Sequence, residues 1–144
     1  MMRYTVYLLI ALATAYYAYE HQEMVAASEA AERTGGEEIR RAFEERLSSF
    51  QVSGAGTVLR VLPDDNDGSR HQRFIVRIPS GQTVLIAHNI DLSPRIETLR
   101  PDDRVTFYGE YEWNEKGGVV HWTHDDPQGR HVGGWIEHNG RRYR

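Results

Sequence analysis

The stretch Arg104–His124 reads RVTFYGEYEWNEKGGVVHWTH, and its period decides the class of fold. Val105, Phe107, Gly109, Tyr111 and Trp113 alternate with Thr106, Tyr108, Glu110, Glu112 and Asn114. Successive side chains of a strand point to opposite faces, so a two-residue period means a strand with one apolar face. Glu115-Lys116-Gly117-Gly118 then supplies a hairpin loop, and Val119–His124 reads as the returning strand.

Working outward, three more strands precede this hairpin. Gly54–Leu62 is apolar and β-branched, His71–Pro79 alternates, and Thr83–His88 is a third short run. Pro63–Ser69 (PDDNDGS) and Ser80-Gly81 punctuate them. PDDNDGS fails as a calcium loop: with Gly68 at the sixth position, Pro63 and Phe74 would occupy the first and last ligand positions. Downstream, Arg130–His138 and a short terminal piece flank Asn139-Gly140, a strong hairpin signal. Between the third and fourth strands, Ser93-Pro94 fits the start of a short helix, with Leu92, Ile96 and Leu99 covering the core. Three strands, a short helical connection and two or more further strands form the element order of an OB-fold, a five-stranded, partly open Greek-key barrel. The expected fold is therefore mainly β: an OB-like barrel over residues 51–144, preceded by a membrane or signal helix and one amphipathic helix.

The N-terminal third is of another kind. Tyr4–Tyr19 carries no charge, follows Arg3 and precedes Glu20 and Glu23. That pattern predicts a secretory signal peptide or a transmembrane anchor over residues 1–19, with the body of the protein outside the cytoplasmic membrane. As a helix the run spans about 24 Å, against about 30 Å of hydrocarbon. Residues 20–36 read as a linker or loose helix ending in Gly35-Gly36. In residues 37–50, Ile39, Ala42, Phe43, Leu47 and Phe50 form a helical stripe. The chain has 144 residues, a net charge of −4 and no cysteine, which argues against a broad polyanion-binding surface and excludes disulfides and thiolate chemistry.

Gly56–Val76, Ser80–Ile96 with its His88-Asn89-Ile90-Asp91 motif, and Phe107–His131 with its HWTH and DPQGRH pieces carry a resemblance. Together they resemble a family of small exported bacterial proteins known as a domain of unknown function. The resemblance covers about Val52 to Tyr143. It implies a compact β domain and a cell-envelope location, periplasmic or held at the inner membrane, and brings no activity with it.

The chemistry-bearing residues fall in two places. His121-Trp122-Thr123-His124-Asp125-Asp126-Pro127-Gln128-Gly129-Arg130-His131 contains a type I turn signal, Asp first, Pro second and Gly fourth. Closed as a hairpin, it sets His124 opposite His131, Asp125 opposite Arg130 and Trp122 opposite Gly133. His121 then points to the other face. The facing imidazoles, with Asp126, make a candidate site for a divalent metal such as zinc, and His88 or His71 would be the third histidine. The second place is His88, Asn89 and Asp91 at the end of the third strand, a candidate binding site or acid/base pair. Two functions follow. One is an extracytoplasmic OB-like binding module for a protein, glycan or small ligand, with the N-terminal segment meeting the membrane. The other is a metal-dependent hydrolase of phosphodiesterase type built on the His/Asp cluster. Nucleic acid is disfavoured, since Glu110 and Glu112 share a face with Tyr108.

Overall fold

A computed structural model describes residues 2–144, and no side chain before Val6, Arg3 included, is among the described ones. The chain is one long helix, α1 (Met2–Glu45), and seven strands. The strands are β1 (Phe50–Val61), β2 (His71–Arg77), β3 (Thr83–Asn89), β4 (Arg104–Glu112), β5 (Val119–His121), β6 (Trp135–His138) and β7 (Arg141–Tyr143). Two compact units are distinguished, one ending at Ala31 and one running Glu32–Arg144.

The first unit is helix alone. Its side chains from Val6 to Ala31 are exposed, including Leu8, Leu9, Ile10 and Leu12. The expected transmembrane anchor needs correction: among the described residues, no helix is long and apolar enough to cross a membrane. The physical reason is dilution. Tyr16, Tyr17 and Tyr19 interrupt the run, and Glu20, His21 and Glu23 close it before a bilayer's thickness is reached. Residues 20–36, read as linker or loose helix, are helical throughout.

In the second unit, the end of α1 lies against the barrel. Gly35 and Gly36 are buried, and a Cβ on Gly35 would collide with the Ser53 carbonyl of β1. The pair is therefore a point of backbone contact between helix and strand, not a chain break. Ile39 and Ala42 are buried beside it. The stripe expected over residues 37–50 is cut short because Arg46 and Ser49 adopt positive φ and turn the chain, leaving Leu47 42% exposed and Phe50 in β1.

The barrel closes on itself. β1 pairs antiparallel with both β2 and β4, β2 with β3, and β5 with β4, while β3 and β5 run parallel. The ring is thus β1-β2-β3-β5-β4 and back to β1. A register shift between Val58 and Arg60 bends β1, as closure requires. Val52, Phe74, Ile86, Phe107, Tyr111 and Val120 fill the interior, and the alternation of β4 is the one its sequence predicts. The second edge of β4 is shared: β5 takes Glu110–Glu112 and β6 takes Val105–Tyr108. β6 and β7 form the hairpin signalled by Asn139-Gly140, both at positive φ.

The connection between β3 and β4 carries no helix, so the expected helical segment at Ser93-Pro94 is replaced by turns. Ile96 and Leu99 are buried as expected, but Leu92 is 51% exposed. The buried side chain of Gln72 explains the difference. It donates to the Ile96 carbonyl at 3.0 Å and accepts the Ile96 N–H at 2.9 Å, so a strand side chain satisfies the backbone that a helix would have satisfied internally.

Candidate functional site: a histidine-lined cleft

β5 stops at His121, and the next thirteen residues leave the sheet before β6 begins. Trp122 takes a positive φ of 52°, which ends the strand. Two glycines make the excursion possible. A Cβ on Gly109 would collide with the His121 carbonyl and come within 2.9 Å of Thr123 Cγ2, and one on Gly134 would collide with the Trp122 and Tyr108 carbonyls. The loop is closed at its neck by Gly134 N–H donating to the His124 carbonyl at 2.9 Å.

Inside the loop the predicted turn forms, with Gly129 N–H donating to the Asp126 carbonyl at 3.1 Å. The predicted ladder beyond it does not. Asp125 pairs with Arg144 at 3.5 Å instead of Arg130. Trp122 covers His131, not Gly133, with ring centroids 4.6 Å apart and planes within 10°. His124 and His131 nevertheless meet, edge to face, with centroids 5.0 Å apart. His121, expected to point away, lies 4.7 Å from Trp122 on the same side of the molecule as the others. The Asp126 carboxylate is committed to its own turn, accepting the backbone N–H groups of Gln128, Arg130 and His131. Burial acts to raise its pKa, but those three donors outweigh burial and hold the carboxyl below the usual range.

The loop walls a cleft of about 320 Å³ whose other wall is the end of the β2–β3 hairpin. His71, Asn89, His121, Trp122, His124, Arg130 and His131 line it. His71 stands opposite Asn89 in the β2–β3 register. Three of the histidines share one arrangement. His71 Nδ1 meets the Ser69 carbonyl at 2.8 Å, His124 Nδ1 the Asp125 carbonyl at 2.7 Å, and His131 Nδ1 the Val132 carbonyl at 2.8 Å. A carbonyl oxygen only accepts, so each Nδ1 donates, and in that tautomer Nε2 is the ring's acceptor; Nε2 of His131 lies 3.9 Å from Asp126 Oδ2.

The third-strand motif divides. Asn89 reaches the cleft. His88 is fully buried and joins β3 to the loop: Nδ1 accepts from the Thr123 hydroxyl at 2.8 Å and Nε2 donates to the Pro94 carbonyl at 3.3 Å. Burial pushes its pKa down to about 4, partly opposed by the Pro94 carbonyl. Asp91 holds Arg70, accepting its backbone N–H and its Nε at 2.7 Å each, and those contacts keep the carboxyl below its usual range. His88 and Asp91 are therefore not joined as an acid/base pair. Each is occupied elsewhere.

A second group of ligand-type side chains adjoins the cleft through His121. Among the described residues, one ligand atom from each of Glu110, Glu112 and His121 lies within 4.8 Å of the other two. Glu110 sits between Gln51 of β1 and His121 of β5 in the sheet register. Burial, then the neighbouring Glu112, pushes the Glu110 carboxyl upward, while burial pushes the His121 imidazole downward. The hairpin signal at Glu115–Gly118 could have revealed the pairing of Glu110 with His121. By composition alone the two glutamates show only a face that repels phosphate.

No curated protein matches the chain. A family model described as a protein of unknown function (DUF3465) matches residues 23–144, and the chain belongs to that family.

Proposed function

We propose that the barrel is an OB-like module of the cell envelope that binds a small hydroxyl-rich ligand, of the size of a sugar unit, in the histidine-lined cleft. The closed ring β1-β2-β3-β5-β4 supports the OB-like reading, and the apolar leader supports export. One observation carries the ligand class: His71 and His124 are each fixed at Nδ1 by a backbone carbonyl, a tautomer that makes Nε2 the ring's acceptor, while Nε2 of His131 faces the Asp126 carboxylate at 3.9 Å. Hydroxyl groups are the donors such acceptors take, while Asn89 and Arg130 supply donors in return. The volume is at the small end of ligand sites, which suits a monosaccharide more than an extended polymer.

The metal-dependent hydrolase has less support. Asp126, its expected oxygen ligand, already accepts three backbone N–H groups. His124 and His131 do not form a three-ligand group with it among the described residues.

Two-dimensional ¹⁵N NMR of the full chain, titrated with neutral mono- and disaccharides, tests the reading. Shifts confined to His71, Asn89 and residues 121–131 are expected. His71→Ala and His124→Ala should each weaken binding about five- to tenfold, the value of one hydrogen bond near 1 kcal/mol. Absence of localised shifts up to roughly 10 mM sugar, where a millimolar ligand is largely bound, would refute it.

A further inference from the structure

We propose that Glu110, Glu112 and His121 form a binding site for one divalent cation of the zinc class, on the outer wall of the barrel where β4 meets β5. The site is separate in its ligands from the expected His124, His131 and Asp126 set, and it meets the cleft only at His121.

The backbone puts the three side chains together. Glu110 and Glu112 are two residues apart on one strand, so they emerge on the same face. His121 is directly opposite Glu110 in the β4–β5 register, a spacing at which Cβ atoms lie about 5 Å apart. All three residues are half-buried, and the ligand atoms already lie within 4.8 Å of one another. Around a tetrahedral zinc ion with bonds near 2.1 Å, ligand atoms are roughly 3.4 Å apart. Closing the remaining gap takes about an ångström of movement, which glutamate side chains provide by rotation.

Two features of this wall lack a partner within the protein. His121 Nε2 is buried and has no hydrogen-bond partner, and the same is true of Gln51 Oε1, whose residue pairs with Glu110 across β1 and β4. The carboxylates are partly oriented by neighbours: Ser49 Oγ donates to Glu112 Oε1 at 2.9 Å and Gln51 Nε2 to Glu110 Oε2 at 3.3 Å. Orientation by such donors is what metal-binding carboxylates use. Like charges side by side on a sheet repel, and the side-chain donors that reach Glu112 and Glu110 here, Ser49 and Gln51, are neutral. A dication would answer the repulsion of the carboxylates and take a nitrogen of an imidazole that keeps one ring atom unpartnered. An imidazole nitrogen between two carboxylates suits zinc, manganese or cobalt better than magnesium or calcium, which take oxygen shells. Three protein ligands leave one position open.

The test uses the full, untagged chain freed of metal with a chelator and dialysed against Zn²⁺, with bound metal measured by mass spectrometry. Binding of one Zn²⁺ per chain is expected. It should be lost in Glu112→Gln and in His121→Gln, and kept in a His124→Ala, His131→Ala double variant. Co²⁺ should give visible absorption bands in the parent that vanish in Glu110→Gln, a near-isosteric change whose folding is checked by circular dichroism. No metal in the parent overturns the proposal. So does metal retained in folded Glu112→Gln and Glu110→Gln, or metal lost in the His124, His131 double variant.

Discussion

His88 makes the fold sensitive to acid in a way that can be worked out from its surroundings. It is fully buried, and its imidazole titrates at about 4 against an ordinary value of 6.5. As pH falls, the unfolded chain takes this proton first, so acid favours unfolding. The stability tied to neutral His88 is complete above about pH 6.5, is lost as pH drops toward 4, and changes no further below that, where both states are protonated. A separation of 2.5 units at 1.36 kcal/mol per unit gives about 3 kcal/mol, a large share of a typical stability of ~5–15 kcal/mol. The assay is urea denaturation from pH 7.5 to 4 for the parent and His88→Gln. Glutamine can still donate to the Pro94 carbonyl but does not titrate. The parent's unfolding free energy should fall more steeply with acid, by up to about 1.4 kcal/mol per pH unit within the window. His121, whose imidazole burial also pushes downward, adds a loss of the same sign in both proteins. Parallel pH curves for the two would refute the reasoning, as would an NMR titration of His88 near its ordinary value.

Three further outcomes follow from the packing. Gly109→Ala forces a methyl into the His121 carbonyl and Thr123, so it should cost about 1–3 kcal/mol and displace the loop, read as a change in tryptophan fluorescence; unchanged stability and emission would contradict it. Gln72→Leu removes both partners of the buried Ile96 backbone groups and should cost about 2–6 kcal/mol, since each stranded group costs about 1–3, measured by thermal unfolding. Asp126→Ala frees the amides of Gln128, Arg130 and His131, so hydrogen exchange of those amides should accelerate while the barrel amides keep their protection.

The strands of the barrel were legible where side chains alternate against a common interior. β4 shows this best, its buried and half-buried residues following the sequence one by one. The Asn139-Gly140 hairpin was legible for a local reason, two residues that tolerate positive φ. What escaped depended on distant neighbours. Val119–His124 has the composition of a strand throughout, yet Trp122 breaks it because Gly109 and Gly134 let the chain fold across β4. Gly35-Gly36 looks like a boundary until β1 is seen against it. Of the candidate site, His124 and His131 were paired for the wrong geometric reason, and His71 and Asn89 were named without a cleft to join them. The strand-end position of His88 suggests a binding or acid/base residue, and its burial does not show locally because its two partners, Thr123 and the Pro94 carbonyl, come from segments whose course no local pattern fixes.

The shared edge of β4 gives the loop wall of the cleft an unusual independence from the barrel strands that supply the other wall. The five-stranded ring is already complete when the chain reaches His121, and β6 rejoins β4 along Val105–Tyr108, a stretch of edge that β5 leaves free. Between the two attachments the segment is closed at its neck by a backbone hydrogen bond, Gly134 to His124, and tied to the rest of the protein by side chains, Thr123 to His88 and Asp125 to Arg144. Length and composition there can change without breaking a single rung of the ring. The segment behaves as a replaceable cassette: exchanging residues 125–133 alone should alter one wall of the cleft while the barrel folds as before.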